Sequence, residues 1–196
     1  KPAPHMEPNF KFVLDAFASK DTVKTKKDID LRINSILIRR GKLSYDVLSE
    51  EETPGKFNPQ HIKLHNIIAN ISLKALQNDS INAAIKRLSV DEQSGFELRK
   101  LSLKVIANNK GMKIENFAIE MPGTEMKMDT IRMEYDSLKA LNHFADNVRF
   151  SFRTLPSHVT LNDISAFVPA LSNFKEKLDL NIDVEGTLNQ LNCRTL

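Results

Sequence analysis

The chain has no tryptophan, two tyrosines and one cysteine in 196 residues. With only Tyr45 and Tyr135 beside the phenylalanines, few aromatic platforms are arranged for stacking nucleic-acid bases. The charge does not point to nucleic acid either. It comes to +3 from 28 basic and 25 acidic residues, which alternate along the chain and form no basic block. The densest basic stretch, Lys24, Lys26 and Lys27, reads as a solvated approach to a strand. A lone Cys193 excludes an internal disulfide and a thiolate zinc site, and is expected to be a small core residue. No apolar run approaches the roughly 18 residues of a membrane span. Lys1-Pro2-Ala3-Pro4-His5 lacks the apolar centre of a signal peptide, so any export signal or membrane anchor is expected outside this segment.

Catalytic signatures are missing as well. No GxGxxG, GxxxxGK[ST], HExxH, GxSxG or CxxC string occurs. Of the histidines only His61 and His65 are close in sequence, and an i, i+4 pair suits metal on a helix rather than on a strand. Carboxylates such as Glu97, Asp183 and Glu185 fall at alternate, outward positions. The expectation is a protein that is not an enzyme, with no metal and no cofactor.

What is present is a repeat of eight residues: two alternating apolar positions, a polar pair, then two more apolar positions. Its copies begin at Leu31, Ile62, Ala83, Phe96, Met112 and Met126, with a weaker one over Gly186–Cys193. Apolar residues at i, i+2, i+5 and i+7 are strand periodicity with one slip of phase at the polar pair. Asn34-Ser35, His65-Asn66, Arg99-Lys100, Glu115-Asn116 and Asp129-Thr130 are such pairs. A β-bulge there would keep all four apolar side chains on one face while bending the strand. Aligned bulges would crease the sheet into a trough. The alternative is a strand that crosses between the two layers of a β-sandwich.

The starts at Ala83, Phe96, Met112 and Met126 leave room for one strand and one short turn each, a meander. Turn residues stand at Ser94-Gly95, at Asn108-Asn109-Lys110-Gly111 and at Pro122-Gly123, and Arg40-Gly41-Lys42 would turn the first strand back into Leu43–Val47. Between Leu48 and Gln60 an exposed loop is expected, its Glu50, Glu51 and Glu52 simply solvated. Helices are expected to carry Phe10, Val13, Leu14 and Phe17; Leu138, Leu141 and Phe144; and Ile164, Phe167, Val168 and Leu171, capping the open ends of the sheet. The organisation expected is a helical lead-in over 1–23, the repeated-strand sheet over 24–135, a helical segment with an intervening strand over 136–175, and C-terminal strands over 176–196. Because alternation still runs at Leu196, the chain is expected to be cut from a longer protein. The fold class is therefore mainly β with flanking helices, an antiparallel creased meander with an apolar trough. Ile67, Leu101, Leu103, Phe117, Ile119, Ile131 and Met133 are its expected lining.

The stretch Ile36–Asp46, the phrase Asp91–Ser102 and the ending Gly186–Leu191 resemble an AsmA/TamB-like envelope protein of the very long form found in Bacteroidetes. The resemblance runs from about Pro8 to the C-terminus and consists of strand and turn patterns, so it transfers no functional residue. It implies a periplasmic piece of a protein anchored in the inner membrane, whose β-groove takes part in lipid transport and outer-membrane biogenesis. The partners implied are phospholipid or fatty acyl chains; the alternative is a scaffold for outer-membrane assembly proteins.

Overall fold

A computed structural model describes residues 30–77 and 79–195. The expected helix carrying Phe10, Val13, Leu14 and Phe17, and the basic approach around Lys24, lie outside the described residues. The repeat copies form long strands: β1 (Asp30–Asp46), β2 (His61–Gln77), β3 (Ser80–Glu92), β4 (Glu97–Ala107), β5 (Gly111–Glu120) and β6 (Glu125–Glu134). After them come β7 (Arg149–Thr154), β8 (Ser157–Thr160), β9 (Lys177–Leu180), β10 (Ile182–Thr187) and β11 (Gln190–Thr195). All belong to one open, curled antiparallel sheet in the order β1-β2-β3-β4-β5-β6-β7-β10-β11. Among the described residues no second sheet faces it, so they form an open curled meander and not the sandwich alternative.

The phase slips are bulges. From Ile33 to Ile36 β1 advances three residues while β2 advances only two, Leu73 to Ile71, leaving one extra residue at Asn34-Ser35. The same two-against-one count recurs at His65-Asn66 and Lys86-Arg87, at Arg99-Lys100, at Glu115-Asn116 and at Asp129-Thr130. Asn66 and Asn116 adopt φ of 54° and 55°. Asparagine tolerates that left-handed conformation better than most residues, which is why it can hold the turn-in of a bulged strand. The bulges do not form the single crease expected. Those of β1, β3, β5 and β6 lie near one line, whereas those of β2 and β4 are displaced toward the β1–β2 loop.

Other expectations are corrected by the pairing. Arg40-Gly41 does not reverse the chain: Arg40, at φ 56°, makes a further bulge and β1 runs on to Asp46. The copy over Gly186–Cys193 is not a bulged strand but the β10–β11 hairpin, Thr187 pairing with Gln190 across a tight turn at Leu188-Asn189. Gly186 is obligatory there, because a Cβ would collide with the Gln190 carbonyl. Instead of a helix from Asn162, two short 3₁₀ turns, Leu161–Ile164 and Pro169–Leu171, form, since Pro169 cannot continue a helix. The segment after β6 holds a 3₁₀ turn, Leu138–His143, and one α-helical turn, Phe144–Asn147. Cys193 is exposed on the outermost strand and is not a core residue.

These turns sit at opposite ends of the sheet. Asn189 donates to the Ala145 carbonyl at one end, and at the other Phe57 donates to the Ala166 carbonyl and Gly123 to the Asp163 carboxylate. There the rings of Phe57 and Phe96 close on Phe167, with centroids 4.8 and 4.9 Å away. The sheet forks at β6. One branch continues through β7 and β10, while β8 and β9 leave from Glu125. Thr154, fully buried, holds the fork, its hydroxyl accepting from the Ile182 amide at 2.9 Å.

Candidate functional site: an uncovered apolar face

The register puts every apolar position of the repeat on one face. Directly paired residues of neighbouring strands share a face, and one such ladder reads Ile33, Leu73, Ala83, Val105, Ile114, Ile131, Phe152, Val184, Cys193 from β1 to β11. At about 4.8 Å between strands it spans roughly 38 Å. A second ladder, beyond the bulges, reads Ile38, Ala69, Leu88, Leu101, Ile119, Met126. Phe117 pairs with Met128, and Met133 with Met112 and Phe150. Leu103 lies two residues from Leu101 along β4, and Ile67 two from Ala69 along β2. The bulges are what make this continuous: without the extra residue at Glu115-Asn116, Ile114 and Phe117 would face opposite sides.

All of Ile67, Leu101, Leu103, Phe117, Ile119, Ile131 and Met133 are half-buried. Their polar neighbours Lys100, Ser102 and Thr130 are too, although Leu98, Ala107 and Met128 on the floor are buried and Ile106, Arg132 and Glu134 on the other face are exposed. Half-burial of most floor residues is what a sheet without a covering layer gives, each side chain being shielded only by its neighbours. Among the described residues, the extensive approaches between elements join neighbouring strands or the short turns at the ends, and none of them lays an element across the floor. The buried apolar side chains, among them Val148, Val184 and Ala69, are scattered along the described chain. Ile36 and Ile38, at the β1 edge, are exposed.

The opposite face is charged and tied across strands. Lys104 and Lys113 both bond Glu115, Lys100 bonds Glu120 at 2.8 Å, Arg153 bonds Asp183 at 2.8 Å and Arg149 bonds Glu185 at 2.6 Å. Hydrogen bonds from Lys104 and then Lys113, reinforced by their charge, hold the Glu115 carboxyl down at about 2.

Two polar features stand apart from the floor. A cleft of about 930 Å³ opens beside the Leu138–Asn147 turns, lined by Lys110, Glu134, Lys139, His143 and Arg149 among others. Where β1 and β2 meet, Asp46, Glu52 and His61 bring ligand atoms within 4.8 Å of one another. Asp46 and His61 are direct register partners, while His65 pairs with Asp91 and takes no part. The Asp46 carboxyl is held below its usual range by the Ser44 hydroxyl, His61 and Lys63. Glu52 is not merely solvated but pairs with Lys63 at 3.1 Å. Sequence reasoning passed over this cluster because its members are separated by a loop; the only local signal was a histidine opening a strand after an acidic run.

The molecule thus belongs to the class of open amphipathic β-sheets, apolar on one face and ion-paired on the other. No family model, curated protein or solved structure matched the chain. Among the described residues no helix is long and apolar enough to cross a membrane.

Proposed function

We propose that the chain is a non-enzymatic, periplasmic β-groove segment of an AsmA/TamB-like protein anchored in the inner membrane, which binds phospholipid or fatty acyl chains and contributes to their movement between inner and outer membranes. One observation carries the reading: a continuous apolar face, strand after strand, with no strand or helix of the described residues laid over it. A sheet's apolar face is ordinarily buried against another element, and an exposed apolar surface of this breadth marks a place where something else binds. Each methylene of an acyl chain laid along it contributes about 0.8 kcal/mol, and a ladder of Ile, Leu, Val, Met and Phe asks for no particular headgroup.

The test is mass spectrometry of organic extracts from the purified protein, combined with titration of a fluorescent fatty acid. Phospholipid or fatty acid in the extract and saturable probe binding are expected. A lipid-free extract together with absence of probe binding would overturn the reading. A second reading, a scaffold for outer-membrane assembly proteins, is favoured by the unpaired outer edges of β1 and β11 among the described residues, which offer backbone groups for strand addition. Capture of such a protein by lipid-free material would favour it.

A further inference from the structure

The Asp46, Glu52 and His61 cluster presents an imbalance of hydrogen-bond donors. A neutral imidazole has one N–H. The Nε2 of His61 lies 2.9 Å from the carbonyl oxygen of Glu50, which can only accept, so this nitrogen carries the hydrogen. Nδ1 then presents a lone pair, and it is aimed at Asp46 Oδ1, 3.2 Å away, with the Glu52 carboxylate also in reach. Neither carboxylate can donate in its ionised form. The His61 side chain is only 5% exposed, so its ring is fixed among these groups. Lone pairs converging at such distances repel unless a proton or a metal cation stands between them.

We infer that Asp46, Glu52 and His61 bind a divalent cation of the zinc type at the root of the β1–β2 loop. One imidazole nitrogen and two carboxylate oxygens form a ligand set that zinc accepts, leaving a coordination position for water. The geometry fits. With metal–ligand bonds near 2.1 Å, neighbouring ligands of a tetrahedral centre are roughly 3.4 Å apart, and the Nδ1 to Oδ1 separation of 3.2 Å is already close to that edge. Glu52 has to close from within 4.8 Å; its side chain is 58% exposed and its ion-pair partner Lys63 is itself 40% exposed, so it has room to turn in. The outer contacts are those a metal-binding histidine and carboxylate use: the Glu50 carbonyl orients the ring, and the Ser44 hydroxyl donates to the other Asp46 oxygen at 2.8 Å. The cation would tie the 47–60 loop to both strands it connects. Without it the loop ends are joined by the Val47 amide to the Gln60 carbonyl and by Asn58 to the Glu51 carbonyl.

The competing occupant is a proton shared between His61 and Asp46, which needs no Glu52. The experiment therefore uses the chain stripped with EDTA, titrated with Zn²⁺ by calorimetry and with Co²⁺ by visible absorption, and melted with and without Zn²⁺. Expected are one bound ion per chain, Co²⁺ ligand-field bands and a raised melting temperature. Glu52→Gln should melt like the parent when metal-free, yet lose affinity by roughly tenfold or more, since even outer partners of a site count for that much. Cys193→Ser and His65→Ala should bind as the parent does. Absence of Zn²⁺ binding, leaving only the shared proton, overturns the inference. So does binding that persists unchanged in Glu52→Gln or disappears in Cys193→Ser.

Discussion

At the scale of single residues, the asparagines at the bulges and the carboxylate beside one of them decide how the strands behave. Asn116 sits at φ 55° in mid-strand, a conformation that costs most L-residues about 1–2 kcal/mol. Asn116→Val should lower stability by about that much in urea unfolding, while Asn116→Gly should stay within roughly 0.5 kcal/mol of the parent, because glycine adopts positive φ freely but costs backbone entropy. Next to it, Glu115 has its carboxyl lowered from 4.5 to about 2 by Lys104 and Lys113. A depressed acid stabilises the fold in full above its unfolded value and loses that contribution as pH falls through the folded one. Stability should therefore decline between about pH 4.5 and 2, and Glu115→Gln should decline less over that window in melts recorded across the pH series. Sequence showed the polar pair Glu115-Asn116; it did not show that two lysines, one on β4 and one two residues earlier on β5, would share the carboxylate.

At the scale of elements, the repeat was legible because its signal is local. Six copies become bulged strands since the slip from period 2 can be read along one strand alone. The last copy was misleading for the same reason: apolar spacing over Gly186–Cys193 matches the repeat, yet a tight turn with the same spacing forms where Gly186 lets the strands approach. The fork at β6 has no local signature. It depends on Thr154, whose hydroxyl accepts from the Ile182 amide at 2.9 Å while lying near the Ile182 carbonyl at 3.4 Å. Thr154→Val leaves those half-buried backbone groups without this partner, so a loss of about 1 kcal/mol is expected. Hydrogen exchange at Ile182 should speed up more than exchange in β3 or β4; uniform acceleration across the sheet would mean that Thr154 does not hold the branch in particular.

At the scale of the whole molecule, the fold among the described residues is a single curled amphipathic sheet whose bulges keep the apolar positions of each strand on one face. Phe117→Glu tests what that face is for. If the floor meets acyl chains, the new carboxylate stays partly hydrated, the melting temperature changes little, and affinity for a fluorescent fatty acid falls several-fold; a floor packed by protein would instead lose about 3 kcal/mol or more to a buried, unpaired charge. Parent-like stability with parent-like binding would remove the groove interpretation. By itself the sequence determined the amphipathic strands, the positions of the bulges at the polar pairs, the turns at Ser94-Gly95, Asn108–Gly111 and Pro122-Gly123, and so the antiparallel meander of β3 to β6, because each of these follows from side-chain period and backbone preference over a few residues. Only the tertiary structure decided that β7 pairs with β10 and that the sheet forks. It also decided that the bulges fall on two lines, that Asp46, Glu52 and His61 meet, and that no described element covers the floor. Those outcomes turn on contacts between residues far apart in the chain, whose energies depend on which surfaces remain free once the local strands have formed.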